Sequence, residues 1–170
     1  PEVRKREGQS YREELQHKIK EHGLQDHVRM VNHFAEEMEL VEYLTACDLY
    51  VTPYPGMQQI TSGTLAYAVG LGRPVLSTPY SYAQDLLGDY PELLLPAGDS
   101  SEWGKRIISM LSEPDELKKW EKIISRIGQP MQWPEVGKAH ARLFDELAGS
   151  RTAHSDQAAG VKPGGRMVAP

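Results

Sequence analysis

The sequence has little cysteine, no excess of positive charge and no long apolar run. Its single cysteine, Cys47, cannot form an internal disulfide, and its position in an apolar stretch predicts a buried core residue. Lys and Arg number 19 against 24 Asp and Glu, which gives a formal net charge of -5 at pH 7. Because nucleic-acid binding needs a surplus of cations to displace counterions from phosphates, this balance argues against a nucleic-acid partner.

Apolar stretches are short throughout the chain. None reaches the roughly 18 to 20 residues that a membrane-spanning helix needs. The amino end, residues 1–7, is charged throughout and is not followed by an apolar stretch, which is unlike a secretory signal. The sequence therefore predicts a protein without a membrane span that is located in the cytoplasm.

Residue types that commonly build metal or nucleophile sites are scattered along the chain. The six histidines have no metal-ligand spacing such as His-Glu-x-x-His. No segment resembles a nucleophile elbow, and the glycines at 70 and 72 close a helix instead of opening one. We predict no metal and no cofactor, and the sequence assigns no catalytic residue.

Apolar residues recur along the chain with alternating helical and strand spacing. Helical spacing covers residues 10–22, 36–44, 61–69 and 81–88, and strand-like composition covers residues 28–31, 48–52, 74–78 and 92–95. This order, in a chain of 170 residues, predicts one α/β domain. We expect a Rossmann-like, doubly wound parallel sheet with helices on both faces.

The carboxyl-terminal third is predicted to be helical and then disordered. Helical spacing continues from residue 99 to residue 148, with Trp103, Trp120, Leu143 and Leu147 predicted as core residues. From Gly149 onward small and polar residues dominate, so little can be buried. We therefore predict a folded domain over residues 1–148 and a disordered tail over residues 149–170. Because no strand precedes the first helix, we expect a fragment of a larger protein.

The loop over residues 53–64 is the best candidate for a binding site. Ligands of doubly wound sheets bind beyond the carboxyl ends of the strands. Small residues and hydroxyls here lie at a predicted helix start, where unpaired N–H groups and the helix dipole favour an anion such as a diphosphate. Gly63 would allow close approach of that anion. A simpler explanation is that Thr61 or Ser62 only caps the helix.

Four segments, taken in order, resemble the donor domain of the GT-B glycosyltransferases. The resemblance covers residues 10–148 and is strongest to the retaining enzymes of family 4. Its segments are Gly23–Val28, Ala46–Pro53, Gly72–Ser77 and Leu94–Asp99. Each segment alone is weak evidence for the resemblance, but the order and spacing of all four are fairly specific to this family. The resemblance implies that this chain is the carboxyl-terminal half of a GT-B fold.

The chain departs from the family at two positions. The family loop carries two glutamates eight positions apart, of which the second commonly holds the donor ribose while intervening amides hold the diphosphate. The matching positions here are Gln59 and Tyr67. Neither is acidic, and a carboxylate accepts hydroxyl hydrogen bonds more strongly than an amide or phenol. The run from Gln59 to Ala68 also resembles a subgroup of the family that makes such replacements.

The resemblance implies a nucleotide-sugar-binding domain over residues 1–148 of a retaining hexosyltransferase. Its donor would be a UDP- or GDP-linked sugar, its acceptor a sugar or lipid-linked molecule, and its product part of a polysaccharide pathway. The acceptor-binding amino-terminal domain and the family's diphosphate-binding cations would lie upstream, so this part alone is expected to be inactive. The donor-binding residues are predicted to be Tyr54, Gln59, Ile60, Thr61, Ser62, Gly63, Thr64 and Tyr67.

The replaced glutamates also support a second hypothesis from another class. A Rossmann-like domain that lost both carboxylates could serve as a non-catalytic binding or interaction module. Tight nucleotide binding without turnover would favour that module, and donor transfer by the full-length protein would favour the enzyme.

Overall fold

The computed structural model describes the backbone of residues 10–159. Residues 1–9 and 160–170, and with them the last part of the predicted tail, lie outside the described residues. The chain divides into two compact units, Pro1–Glu36 and Glu37–Pro170, which are described separately.

The first unit contains helix α1, Ser10–Glu21, which confirms the predicted helix. Gly23 ends it with a left-handed φ of +64°, a conformation that costs glycine little because it has no Cβ. The strand predicted over residues 28–31 is wrong, because this segment pairs with no strand among the described residues. Alternating side chains provide two faces, but a strand also needs a partner backbone for its N–H and C=O groups.

The second unit alternates helices with two strands. Its elements are α2 (Glu37–Ala46), β1 (Tyr50–Thr52), α3 (Gly63–Gly70), β2 (Val75–Ser77), α4 (Ser81–Leu87), α5 (Ser100–Ser112), α6 (Pro114–Gly128) and α7 (Trp133–Ala159), with 3-10 turns at Pro91–Leu93 and Gln129–Met131.

Strands β1 and β2 pair in parallel, with Tyr50 opposite Val75 and Thr52 opposite Ser77. Helix α3 lies in the connection between them, as parallel pairing requires a crossover. The strand predicted over residues 92–95 is wrong: a 3-10 turn replaces its first half, and Leu94 forms only an isolated parallel bridge to Ser77. The structure confirms an α/β chain with a small parallel sheet of two strands among the described residues. The doubly wound sheet stays a prediction.

The core of the second unit packs α3 between the strands and α6. Buried side chains include Leu65, Val69, Leu76 and Ile124. Helices α3 and α6 approach closely at Gly128, where an added Cβ would lie 2.9 Å from the carbonyl carbon of Val69 and closer still to its oxygen. This close approach holds α3 in place, and α3 carries the candidate site at its first turn.

Helices α5 and α6 are joined by a half-buried charged network around Glu116. Its carboxylate accepts hydrogen bonds from Arg106 Nη1 at 2.6 Å, Ser109 Oγ at 3.0 Å and Trp120 Nε1 at 3.2 Å. Burial by itself raises the pKa of Glu116, but the three hydrogen bonds and the Arg106 charge outweigh it, so the pKa is lowered from 4.5. The charged form of Glu116 therefore stabilises the folded state.

We expect Glu116→Gln to lower the free energy of unfolding at neutral pH by about 1 to 2 kcal/mol, because charge-assisted hydrogen bonds are lost. The contribution of Glu116 is present above its unfolded pKa and is lost as the pH falls through its lower folded pKa. The difference between wild type and variant should therefore shrink below about pH 4.5. Urea unfolding at a series of pH values measures it. Glu121→Gln on the same helix is the control, and a difference that is constant with pH would contradict the assignment.

Helix α7 differs from its prediction in burial and length. Leu143 and Leu147 are 49% and 54% exposed, so their predicted core packing is wrong, whereas Trp103 and Trp120 are buried as predicted. Helical spacing creates an apolar face, but burial needs an element to cover that face. The helix continues past residue 148 to Ala159, across the predicted domain end. The disorder of the tail stays a prediction.

Two further expectations concern Cys47 and membranes. Cys47 is half-buried, donates a hydrogen bond from Sγ to the Leu44 carbonyl at 3.2 Å, and has a pKa raised by burial. Within residues 10–159, none of the helices combines the length and apolar character that a membrane crossing requires.

Candidate functional site

The loop after β1 is fixed by hydrogen bonds to the residue that follows β2 and to the first turn of α4. Thr78 Oγ1 donates to the Tyr54 carbonyl at 2.7 Å, and the Tyr82 N–H donates to the Gln59 carbonyl at 3.1 Å. These bonds hold both halves of the loop beyond the carboxyl end of β1. The loop therefore presents a defined surface where the sequence predicted a ligand.

Ser62 is the N-cap of α3. Its backbone is extended, with φ of -147°, and its Oγ accepts a hydrogen bond from the Leu65 N–H at 3.3 Å. Ser62 is buried, with 7% exposure. The capping explanation that the sequence left open therefore applies to Ser62, whose side-chain oxygen is already used within the protein.

The N–H groups of Gly63 and Thr64 lie at the first turn of α3. Neither N–H has an acceptor among the described residues, as expected for the first amides of a helix. A Cβ placed on Gly63 would meet nothing within 4 Å, so there is open space beside its backbone. Together with the helix dipole, these amides provide a place for an anion.

Thr64 is positioned by Tyr50 of β1. The Tyr50 hydroxyl donates to Thr64 Oγ1 at 2.7 Å. The pKa of Tyr50 is raised, mainly by burial, so the phenol keeps its proton. Because Thr64 Oγ1 accepts this bond, its own O–H can donate to a ligand. Tyr50 was not predicted as a site residue, and nothing in its strand position distinguishes it from a packing residue.

Gln59, Ile60 and Thr61 form the rim of the loop. Gln59 Nε2 donates to the Thr61 carbonyl at 2.8 Å, which fixes the amide group. Ile60 is 75% exposed, and the Thr61 side chain is also exposed. The structure thus places these three predicted residues next to the first turn of α3, with Gln59 oriented by its neighbour.

Tyr54 lies on the other side of the loop, against Tyr80. Their rings are 5.5 Å apart with an interplanar angle of 82°. Tyr80 is fully buried and its hydroxyl has no hydrogen-bond partner among the described residues, whereas Tyr54 is 39% exposed. Tyr54 therefore adds a partly exposed aromatic ring to the loop, and this ring packs edge-to-face against the buried ring of Tyr80.

Tyr67 lies one helical turn after Gly63 and contacts a carboxylate. Its hydroxyl donates to Glu37 Oε1 of α2 at 2.7 Å, and this hydrogen bond raises the pKa of Tyr67. A carboxylate therefore stands beside the position where the family has its second glutamate. Glu37 was not predicted as a site residue, because a glutamate in the first turn of a helix is typical of helix starts in general.

The candidate site has little charge of its own. The segment from Pro53 to Tyr67 contains no ionisable acid or base other than its tyrosines, and Glu37 is the nearby carboxylate. An anion at Gly63 and Thr64 would thus be bound by amides, a hydroxyl and the helix dipole. Within residues 10–159, no three His, Cys, Asp or Glu side chains are grouped so that they could hold a metal ion.

Comparison with known proteins identifies a family. The family model described as "Glycosyl transferases group 1" matches residues 6–113. The GDP-mannose:glycolipid 4-beta-D-mannosyltransferase of Xanthomonas campestris pv. campestris is 28% identical over 116 residues, which cover 68% of this chain and 32% of that protein. The match thus spans about a third of the relative's length. No solved structure gives a significant match.

The family match includes α1, both strands, the loop and the first turn of α3 that carries the unpartnered amides. It covers well over half of the chain. This chain belongs to the group 1 glycosyl transferases.

Proposed function

We propose that this chain is the donor-binding part of a retaining hexosyltransferase of the GT-B fold, and that it binds a nucleoside diphosphate sugar at the first turn of α3. The Gly63 and Thr64 N–H groups bind the diphosphate, the Thr64 hydroxyl donates to it, and Gln59 contacts the sugar. The observation that carries this proposal is the pair of unpartnered amides beside open space at Gly63.

The name of the bacterial relative favours a GDP-linked hexose. That protein is named for GDP-mannose and a glycolipid acceptor. A shared donor would explain the similarity over the region that includes the loop and α3. We therefore expect GDP to bind more tightly than UDP.

The chemical role of the site is to stabilise the leaving diphosphate. Much of the barrier to transfer comes from negative charge that develops on this group, and preorganised N–H donors stabilise such charge without reorganising. The chain offers amides and a hydroxyl but no cation in the segment around them. We infer that the remainder of the full-length protein supplies cations, the acceptor and a closed, dry cleft. The isolated chain should bind donor weakly and turn it over poorly.

Amide chemical shifts test the binding site directly. We expect GDP to shift the backbone amide signals of residues 59–64 in a titration, with Gly63 and Thr64 among the largest changes. Amides of α5, remote in sequence from the loop, serve as the internal control. Millimolar GDP and UDP that leave residues 59–64 unmoved would refute the proposed site.

A non-catalytic binding module is the second candidate. Gln59 and Tyr67, in place of two family glutamates, favour it. The carboxylate of Glu37, 2.7 Å from the Tyr67 hydroxyl, weakens that argument because acidic character is retained there. Transfer of a hexose by the full-length protein would exclude the module, and nucleotide binding without any transfer would exclude the enzyme.

A further inference from the structure

The first turn of α4 has no capping side chain of its own. Tyr80 is the N-cap, with φ of -71° and ψ of 160°, and its side chain makes no capping hydrogen bond. The first N–H groups of a helix have no partner within that helix and need an acceptor from elsewhere. In this protein the acceptors come from the loop after β1.

Two carbonyl groups of that loop accept hydrogen bonds from α4. The Met57 carbonyl accepts from the Ser81 N–H at 3.0 Å and from Ser81 Oγ at 3.3 Å. The Gln59 carbonyl accepts from the Tyr82 N–H at 3.1 Å. Three donors of α4 therefore hold two residues of the loop, and both N–H groups are used within the protein rather than offered to a ligand.

The same stretch of loop buries little of its own surface. Residues 53–58 are all exposed, and the Met57 side chain is 39% exposed. A segment this open gains little from apolar packing, so its backbone conformation depends on where its carbonyl and N–H groups are bonded. The hydrogen bonds from the first turn of α4 therefore fix residues 57–59.

Gln59 is the candidate site residue whose position these bonds decide. Its backbone carbonyl is held by Tyr82, and its Nε2 donates to the Thr61 carbonyl at 2.8 Å. Gln59 Oε1 has no donor among residues 10–159, so it can accept a hydrogen bond from a ligand. An amide oxygen that is oriented in this way matches a sugar hydroxyl, which can donate to it.

We propose that Ser81 is a positioning residue for the transferred sugar, which holds the loop at Met57 so that Gln59 Oε1 accepts a hydrogen bond from a hydroxyl of the hexose. This inference rests on the proposed function, in which Gln59 contacts the sugar of the donor. Ser81 itself acts through the loop and not on the ligand. Substitution of Ser81 should therefore weaken binding of the sugar more than binding of the nucleotide.

The first turn of α3 has separate contacts that fix it. Ser62 caps this turn, and the Tyr50 hydroxyl donates to Thr64, so neither contact involves α4. A change at the start of α4 should displace Gln59 while the amides of α3 keep their places. The diphosphate and the sugar of one donor molecule would then respond differently to the same substitution.

Ser81→Pro removes the contact to Met57 and keeps the helix. Proline is favoured at the first position of a helix, and the extended backbone of Tyr80 suits a following proline. The proline ring takes the place of the N–H and pushes the Met57 carbonyl away. We expect the variant to bind GDP-mannose about fivefold more weakly and GDP within about twofold of the wild type, because one neutral hydrogen bond to the sugar is lost. Amide titrations of the complete chain measure both affinities.

Ser100→Pro is the matched control. Ser100 is also the first residue of a helix, α5, but its N–H has no acceptor among the described residues. This variant should leave both affinities unchanged. In a Gln59→Ala background Ser81→Pro should have no further effect, because the contact through which Ser81 acts is already lost. Equal losses for the two ligands, unchanged GDP-mannose affinity, or additive effects with Gln59→Ala would overturn the inference and leave the diphosphate site standing.

The ligand-free chain separates this inference from the proposed function. Ser81→Pro should move the side-chain amide signals of Gln59 toward those of an unfolded peptide, and Ser100→Pro should not. Unchanged Gln59 signals would show that Ser81 does not hold this residue, whether or not a nucleotide binds. Signals that move as expected, while GDP shifts none of the amides of residues 59–64, would support the positioning of Gln59 and refute the diphosphate site.

Discussion

Gly63→Asp should lower the affinity of the chain for GDP by about 100-fold without unfolding it. The new carboxylate would stand beside the amides proposed to bind the diphosphate. At a separation of about 5 Å and an effective dielectric constant near 20, two like unit charges repel by about 3 kcal/mol, which corresponds to two decades of affinity. Calorimetric titration with GDP measures the loss.

The same substitution is compatible with the fold. The Cβ of residue 63 enters open space, and Gly63 is the first residue of α3. An acidic side chain in the first turn of a helix interacts favourably with the helix dipole, by about 0.3 to 1 kcal/mol. Urea unfolding should therefore show a variant at least as stable as the wild type. This separates loss of binding from loss of structure.

Gly63→Asn is the control for size. Asparagine has nearly the same shape as aspartate but no charge, so a purely electrostatic effect should leave GDP affinity much closer to that of the wild type. Equal losses for both variants would indicate a steric effect of any side chain at residue 63. GDP affinity that is unchanged in Gly63→Asp would contradict binding of the diphosphate at this helix start.

Gly128→Ala should lower the free energy of unfolding by about 2 kcal/mol or more. Gly128 ends α6 and is buried against α3, where a Cβ would lie 2.9 Å from the Val69 carbonyl carbon and 3.1 Å from Gly70 Cα. These neighbours are backbone atoms, which cannot rotate away as a side chain can. Adding one methyl group to such a contact forces helices apart, a change that commonly costs about 1 to 3 kcal/mol. Urea unfolding at neutral pH measures this loss.

Gly104→Ala is the matched control within α5. A Cβ at Gly104 would meet nothing within 4 Å, so the methyl group adds no collision. Replacing a glycine inside a helix by alanine should instead stabilise the protein by up to about 1 kcal/mol. Two variants with equal stabilities would contradict the close contact of α3 with α6. Because α3 carries the candidate site, Gly128→Ala should also weaken GDP binding.

Local rules explain why most helices were predicted correctly. Capping residues and helical spacing are properties of neighbouring residues, and they located α1, α3 and α5 to within a few residues. The strands at residues 28–31 and 92–95 were wrong because strand formation depends on a partner that lies elsewhere in the chain. The prediction that the apolar face of α7 is buried was wrong for a similar reason, since burial depends on another element that covers the face.

The candidate site likewise contains residues that local sequence predicts and residues that depend on contacts distant in the chain. The helix start at Gly63 followed from the order of small and hydroxyl residues, and Ser62 follows the capping rule. Tyr50 and Glu37 carried no local signal, because each has an ordinary function in its own element. Their importance depends on contacts 14 residues away for Tyr50 and 30 residues away for Glu37.

The sequence by itself predicted an α/β chain and located the helix start at which we propose that an anion binds, because charge, capping and periodicity act between residues that are close along the chain. Only the tertiary structure decided that the Tyr50 hydroxyl donates to Thr64 and that Tyr67 contacts a carboxylate. Hydrogen bonds and burial join residues that the sequence separates. They exist only after the helices have packed against one another.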